Sequence, residues 1–336
     1  GRLTSMYYRY KSKQRKRNTT KLIINILLVA IVIYIVQEYH QYIFFWKYTL
    51  NKLQYKVDMA VKQSDNVIRQ GQLKDLCIAA NKYVENNPSN SDAYYLARTV
   101  HYLYATSISN IPIYSLYDEN TLDTISDEAK QHLINAIKAI NKGLAFGGRS
   151  SIDDTTRVIL AAAAYMSNFY PINEIYTIIQ KVSNINKLSI DNARLYSLIA
   201  IKSGHTEEGL ELVKLKGVSD NSEGRMFLAA SYLYANQQSN AIIEYRNILK
   251  NSMDNAIIKA VHIELGKIFY KKGIYTESLE HLNAALQIDN QDIQCKLWLG
   301  KVYSAVGNIA QAKAVWSEVL LLDSENVEAK RLLGVM

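Results

Sequence analysis

Residues 265–307 read LGKIFYKKGIYTESLEHLNAALQIDNQDIQCKLWLGKVYSAVG, and another Leu-Gly follows at Leu333 and Gly334. Gly266, Gly300 and Gly334 therefore stand 34 residues apart, each preceded by a leucine. Other positions keep the step: Phe269 with Tyr303, Gly273 with Gly307, Ser278 with Ala312, Leu282 with Trp316, and Ala285 with Val319. Glycine inside a helix costs about 1 kcal/mol relative to alanine, so its regular return marks a place where backbones must approach closely. A small residue, an aromatic three on, a turn glycine seven on, and then Leu282 and Ala285 describe two helices with i, i+3, i+4 apolar stripes. A unit of this kind cannot bury its apolar face alone and is built to stack on copies of itself.

Working backwards, the period blurs. Leu228 and Ala229 replace Leu-Gly, followed by Tyr232, Ala241 and Tyr245, with a longer link around Asn251 to Asn255. Ser197, Ala200, Gly204, Gly209 and Val213 give a shorter unit, and Arg157 to Val182, with alanines at 161–164, gives a hairpin whose turn holds Pro171 and Asn173. Tyr94 to Tyr104 and Ala129 to Ile140 read as two helices split by a loop of about twenty residues, long for a compact connection. The first unit runs from about Leu50 to Pro88, with Gly71 at its turn. Within it, Leu50, Leu53, Val57, Ala60, Ser64 and Val67 form a 3, 4, 3, 4, 3 seam, suited either to the partner helix of the hairpin or to a coiled coil with a neighbour.

The whole pattern resembles the tetratricopeptide (TPR) repeat, closely over 257–324 and loosely back to about residue 50. The resemblance implies an all-α fold: a right-handed α-solenoid of about seven TPR-like hairpins over 43–336, closed by a polar C-terminal capping helix from Asn326. It also implies that first helices line a concave groove, with the positions one, four and five beyond the Leu-Gly glycine facing it. On this chain those are Lys267, Tyr270 and Lys271, then Lys301, Ser304 and Ala305, and, one unit earlier, Ala230, Leu233 and Tyr234. Tyr234, Lys267, Tyr270, Lys271 and Lys301 would suit an acidic or carboxylate-bearing peptide with apolar anchors, unless they are ordinary solvated helix positions. The carboxylate clamp of the family's chaperone-binding members has no residue-by-residue match here. A second candidate contact is the loop at 107–124, where Ile113, Tyr114 and Tyr117 offer an aromatic docking segment.

The other end of the chain reads differently. Leu22 to Val36 holds no charge, glycine or proline and as a helix would span about 22 Å, which flanking Lys21 and the aromatic residues Tyr39, Tyr42 and Trp46 extend toward the roughly 30 Å of a bilayer core. A cleaved signal peptide is the competitor, but no small-x-small site follows the run. The expected layout is a basic cytosolic tail at 1–21, a transmembrane signal anchor at 22–42 and repeats thereafter. The opening Gly1 suggests a fragment, or a true start at Met6. Eight basic residues and no acidic one fall within 1–21, and those eight account for the whole difference between 39 basic and 31 acidic residues. The pI near 9.1 thus belongs to the tail and argues for the positive-inside rule, not for nucleic acid. The expected location is a bacterial inner membrane, single-pass, with the repeats periplasmic.

Chemistry finds little support. Gly143 to Ser150 imitates a phosphate-binding loop, but Arg149 stands where the lysine belongs and a helix precedes it in place of a strand; Gly143 reads as a helix C-cap and Gly147-Gly148 as a linker. The six histidines show no ligand spacing, and His205 and His281 read as solvated turn positions. Cys77 and Cys295 read as separate buried fillers. No catalytic residue, metal or cofactor is expected. The reading is a membrane-anchored, non-enzymatic scaffold of an envelope assembly, open to self-association, with the collar of a spirochaete flagellar motor among the candidates. The alternative is an adaptor or chaperone/translocon receptor recruiting peptides at a membrane surface.

Overall fold

The computed structural model describes residues 2–146, 153–216 and 221–335, excluding the side chains at 2–8, 10, 36, 38–48 and 216. Gly147, Gly148 and Arg149 of the glycine-rich stretch lie outside the described residues, as do the side chains of the expected aromatic belt. The chain divides into two compact units, 1–88 and 89–336.

The first unit is a hairpin of α1 (Arg2–Lys62) and α2 (Asn66–Asn86). Tail, apolar run and first hairpin helix, expected as successive segments, form one unbroken helix of 61 residues. Within it, Lys11–Ile35 is long and apolar enough to cross a membrane, and none of it is buried. Leu22 to Ile35 therefore forms an apolar helix that the chain's own packing does not cover, fit to serve as an anchor or a signal. The apolar seam ends with α1. Val57 and Ala60 are buried in the hairpin, whereas Val67 is 79% exposed beyond the break. The turn comes at 63–65 and not at Gly71, because Asp65 caps α2 by accepting from the Ile68 amide at 2.9 Å. Gly71 lies inside α2, with open space where a Cβ would stand.

The second unit begins with α3 (Ser91–Ser109), a 3-10 turn (Ile113–Tyr117), the single turn α4 (Glu119–Asp123) and α5 (Asp127–Phe146). It continues through α6 (Asp154–Ser167), α7 (Ile172–Ile179), α8 (Ile190–Lys202), α9 (Thr206–Lys216), α10 (Ser222–Tyr234) and α11 (Gln238–Asn251). It ends with α12 (Asn255–Lys271), α13 (Tyr275–Ile288), α14 (Ile293–Ala305), α15 (Ile309–Leu322) and α16 (Val327–Leu333). α3 pairs with α5, α6 with α7, α8 with α9, α10 with α11, α12 with α13 and α14 with α15; each second helix packs on the next first helix, giving a helical-hairpin stack.

The register recovers the repeat even where the sequence blurs. Ala161, Ser197, Ala229, Gly266 and Gly300 are all buried at the same place in their first helices. Seven residues beyond each, the backbone turns left-handed: Asn168 (φ 59°), Gly204 (93°), Asn236 (61°), Gly273 (73°) and Gly307 (84°). Asparagine tolerates this conformation better than other side chains, so it substitutes for glycine in two of the five turns. The first helices α3, α6, α8, α10, α12 and α14 are each capped: Asn90, Asp153, Ser189, Asn221, Asp254 and Asp292 each accept a first-turn amide.

The small residue receives a side chain, not a backbone. A Cβ on Gly266 would stand 2.7 Å from Leu282 Cγ, and one on Gly300 would enter the Trp316 indole. Ser278 Oγ donates to the Gly266 carbonyl at 2.7 Å, and Trp316 Nε1 donates to that of Leu297 at 3.2 Å, so the second helix is both packed and pinned there. Gly334 does a different job, ending α16 as a left-handed C-cap with nothing near its Cβ position. Gly143 is not a cap: α5 runs on to Phe146, and Gly143 makes room for the Tyr94 Cβ, 3.0 Å from its own Cβ position. His281 is not at a solvated turn either. It lies within α13, stacked on Phe269 (5.6 Å) with Nδ1 2.9 Å from His262 Nδ1, because this is where α12 and α13 meet. His205 is exposed but stacks on Tyr176 at 3.8 Å. Cys77 and Cys295 are free and buried, and burial pushes both thiols up to about 12.

Candidate functional site

First helices α12 and α14 are locked side by side before any groove residue is considered. Lys259 on α12 reaches Asp289 Oδ2 and Asp292 Oδ2, both at 2.9 Å, and Asp292 also caps α14 through the Cys295 amide. Burial works against the Lys259 charge, but the hydrogen bonds and charges of the two aspartates outweigh it and raise its pKa. The two helices thus keep a fixed spacing, and their side chains meet predictably.

What they bring together is Trp298. Its ring takes the edge of Tyr270 at 5.5 Å, with Lys301 Nζ at 4.2 Å and Lys267 Nζ at 5.9 Å from its centroid. Tyr275, at the start of α13, extends the aromatic wall 5.9 Å from Tyr270. Three of the five expected groove residues, Lys267, Tyr270 and Lys301, therefore share one cluster, whose centre the sequence reading passed over. The missed signal was a large aromatic three residues before Lys301, on the same helical face.

The lysines are not free charges. Lys267 pairs with Glu264 at 2.8 Å and Lys301 with Glu328 at 2.6 Å, while Lys271 is exposed and outside the cluster. Exposed pairs of this kind contribute about 0–1 kcal/mol, so an incoming carboxylate can exchange with the glutamates, but the surface has no surplus of positive charge to attract one. Its durable feature is the aromatic face with cations over it, each such contact being worth roughly 0.5–2 kcal/mol.

Tyr234 belongs elsewhere. It stacks on Tyr117 at 5.3 Å with Lys202 Nζ 4.7 Å from its ring. The expected docking loop is folded onto this chain. Tyr117 is 7% exposed and its hydroxyl lies 2.8 Å from Ser231 Oγ, while Ile113 and Tyr114 pack partly buried against the core. Three polar residues, Glu208 half-buried and Arg98 and Arg194 buried, also escaped the sequence reading. Glu208 on α9 accepts from Tyr176 (2.8 Å) and from Tyr196, and buried Arg98 donates to Thr156 Oγ1 at 2.5 Å while its guanidinium stacks on Tyr95. Arg194 on α8 is 6% exposed with its Nε unpartnered. Single polar residues in a buried stripe carry no period, so nothing flagged them.

Comparison with known proteins places these hairpins. A family profile described as "TPR repeat" matches residues 266–307, from α12 through α14. A curated relative, "Formate-dependent nitrite reductase complex subunit NrfG" of Escherichia coli O157:H7, is 26% identical over 123 residues, covering 36% of this chain and 61% of its own length. The match therefore spans under two thirds of that relative. Among solved structures, "MamA MSR-1 C2" is 16% identical at a TM-score of 0.39, covering 51% of this chain and 94% of its own. "Crystal structure of APC/C hetero-tetramer Cut9-Hcn1" is 16% identical at a TM-score of 0.43, covering 78% of this chain and 52% of its own. The profile lies over hairpins whose small residue, left-handed turn and receiving side chain repeat in space, so residues 266–307 match a TPR repeat and the fold is a TPR-like stack of helical hairpins.

Proposed function

We propose that the chain is a membrane-anchored, non-enzymatic scaffold that holds a protein complex together, binding a partner segment at the Trp298 cluster. The observation that carries this reading is the cluster itself: Tyr270, Trp298, Lys267 and Lys301 converge from two first helices onto one half-buried aromatic face. Aromatic residues with cations beside them are the usual anchors of protein interfaces. The uncovered apolar helix at Leu22 to Ile35 supports anchoring, and the basic residues before it support a cytosolic N-terminus with the repeats periplasmic in a bacterial inner membrane. The name of the Escherichia coli relative, a subunit of a reductase complex, is consistent with a part in complex assembly. A collar of a spirochaete flagellar motor is one assembly of this kind, and self-association through the repeats is another. The competing reading, an adaptor recruiting peptides on the cytosolic surface, requires the opposite topology.

The test is photo-crosslinking of the full chain in native membranes from a probe at Ser304, next to the cluster, in wild type and Trp298→Ala. A reproducible protein partner, with capture at least about tenfold weaker in the variant, is expected for loss of a central aromatic anchor. Recovery of no partner, or equal capture by both, overturns the site. Protease digestion of the repeats only after outer-membrane permeabilisation supports the periplasmic placement; digestion only from the cytosolic side favours the adaptor.

A further inference from the structure

The loop between α3 and α5 lies across the first helices as a ligand would. Its contacts come from three of them in turn. Tyr165 on α6 donates to the Leu116 carbonyl at 2.5 Å, and Lys202 on α8 donates to the Tyr117 carbonyl at 3.2 Å and reaches Glu119 Oε1 at 3.4 Å. On α10, Ser231 meets the Tyr117 hydroxyl while Phe227 (5.7 Å) and Tyr234 (5.3 Å) stack on its ring. Side chains of the scaffold thus receive two backbone carbonyls, one phenol and one carboxylate, which is the chemistry of peptide recognition.

The loop also holds its own shape. Its amides bond locally, Ser115 to Pro112, Asp118 to Ser115 and Thr121 to Asp118, so the loop makes its own turns and leans on the helices beneath through the Leu116 and Tyr117 carbonyls and the buried side chains of Leu116, Tyr117 and Leu122. It is bounded by Asn110, a left-handed C-cap of α3, and by Ser126, whose hydroxyl caps α5. α3 and α5 pack directly on each other, so their hairpin does not require the loop in place.

We propose that residues 111–122 are a resident, displaceable ligand of the face formed by α6, α8 and α10, and that the partner competing for this place presents an exposed Leu-Tyr followed by acidic residues, as Leu116, Tyr117, Asp118 and Glu119 do. This rests on the reading of the first-helix face as the partner surface. In the resting chain that face is divided: the stretch over α6 to α10 is filled from within, and the half-buried Trp298 cluster lies beyond it. A partner carrying the Leu-Tyr-acidic element takes the filled stretch by exchange, at an affinity lowered by the fraction of time the resident segment is in place.

Two measurements on the full chain decide it. Native-state hydrogen exchange of the wild type should show the Ser115 and Asp118 amides at least about 100-fold less protected than the α10 amides at 227–231, reporting local opening. Equal protection would mean that the loop opens only when α10 does, and would overturn the proposal. A synthetic peptide of residues 110–124 should then bind a Leu116→Ala/Tyr117→Ala chain at least about tenfold more tightly than wild type, and Lys202→Ala added to that background should weaken it again. Absence of peptide binding to the folded double variant overturns the proposal, and so does unfolding of that variant, which would make the loop ordinary core. The assay uses only this chain's own segment, so its failure leaves the Trp298 reading standing, and failure to capture a partner leaves the loop result standing.

Discussion

The hairpins α12 to α15 and the hairpins α6 to α9 have the same architecture but reach it by different chemistry. In the later pair each interface repeats: a glycine on the first helix accepts Leu282 or Trp316 from the second, and a hydroxyl or indole on the second helix pins the first helix's backbone. In the earlier pair the small residues are Ala161 and Ser197, and cohesion comes from particular polar contacts such as Glu208 between Tyr176 and Tyr196. Repetition of one packing solution keeps a sequence period visible. One-off solutions erase it without changing the fold.

The largest effect should come from attacking the repeated solution. Gly300→Ala puts a methyl into the Trp316 indole, which cannot retreat while Nε1 holds the Leu297 carbonyl. Overpacking of this kind costs about 1–3 kcal/mol, and the upper part of that range is expected, with loss of the C-terminal hairpins first in urea. Gly71→Ala, in α2 with open space around it, should instead gain up to about 1 kcal/mol of helix propensity. If Gly300→Ala is as benign as Gly71→Ala, the glycine period has some other cause than the indole.

The same contrast shows what was legible. Leu-Gly at 265–266 and 299–300 exposed the fold because glycine is conspicuous inside a helix. At 168 and 236 the left-handed turn is filled by asparagine, which a search for glycine passes over. The Asx and Ser caps of the first helices carried the period too, but a cap residue is common enough that only the structure singles it out. At the candidate site, counting from the glycine picked out Lys267, Tyr270 and Lys301, which the fold brings together, and Tyr234, which it sets apart, because position along a helix cannot foresee a segment from over a hundred residues away lying on top of it. Lys301 was legible as a position but not as a paired charge, since Glu328 reaches it from α16, whereas Glu264, three residues before Lys267 on the same helix, was readable as its partner and was passed over.

An intermediate effect is expected from acid. His281 is held down to about 4 from an ordinary 6.5 by burial, then by His262 and Arg246, with Glu277 opposing. The fold therefore favours the neutral ring. Above about pH 6.5 neither state is protonated and nothing changes; as pH falls from there toward 4 the unfolded chain binds a proton the folded one refuses, and stability drops. Fluorescence from Trp298 and Trp316 should report a lower urea midpoint at pH 5 than at pH 7.5, and His281→Gln should reduce that difference. A midpoint independent of pH would mean that the two rings are not held together when folded.

The smallest effect concerns a charge that the later hairpins do without. Among the described residues, the buried arginines are Arg98 and Arg194, both before α9. Arg98 has Thr156, Thr99 and the Tyr95 ring to compensate it, although its Nε, like that of Arg194, is unpartnered. Arg194 has its Nε unpartnered at 6% exposure. Removing a charge from water without a full set of partners is unfavourable, and an apolar residue of similar length in its place is often neutral or stabilising. Arg194→Met should therefore leave the urea midpoint unchanged or raise stability by about 1 kcal/mol, whereas Arg98→Met, which takes a donor from Thr156 Oγ1 and the cation from the Tyr95 ring, should lower it. A clear loss on Arg194→Met would show instead that the guanidinium is held in place by interactions the earlier hairpins need, and the difference between the two regions would then be one of partners, not of tolerance.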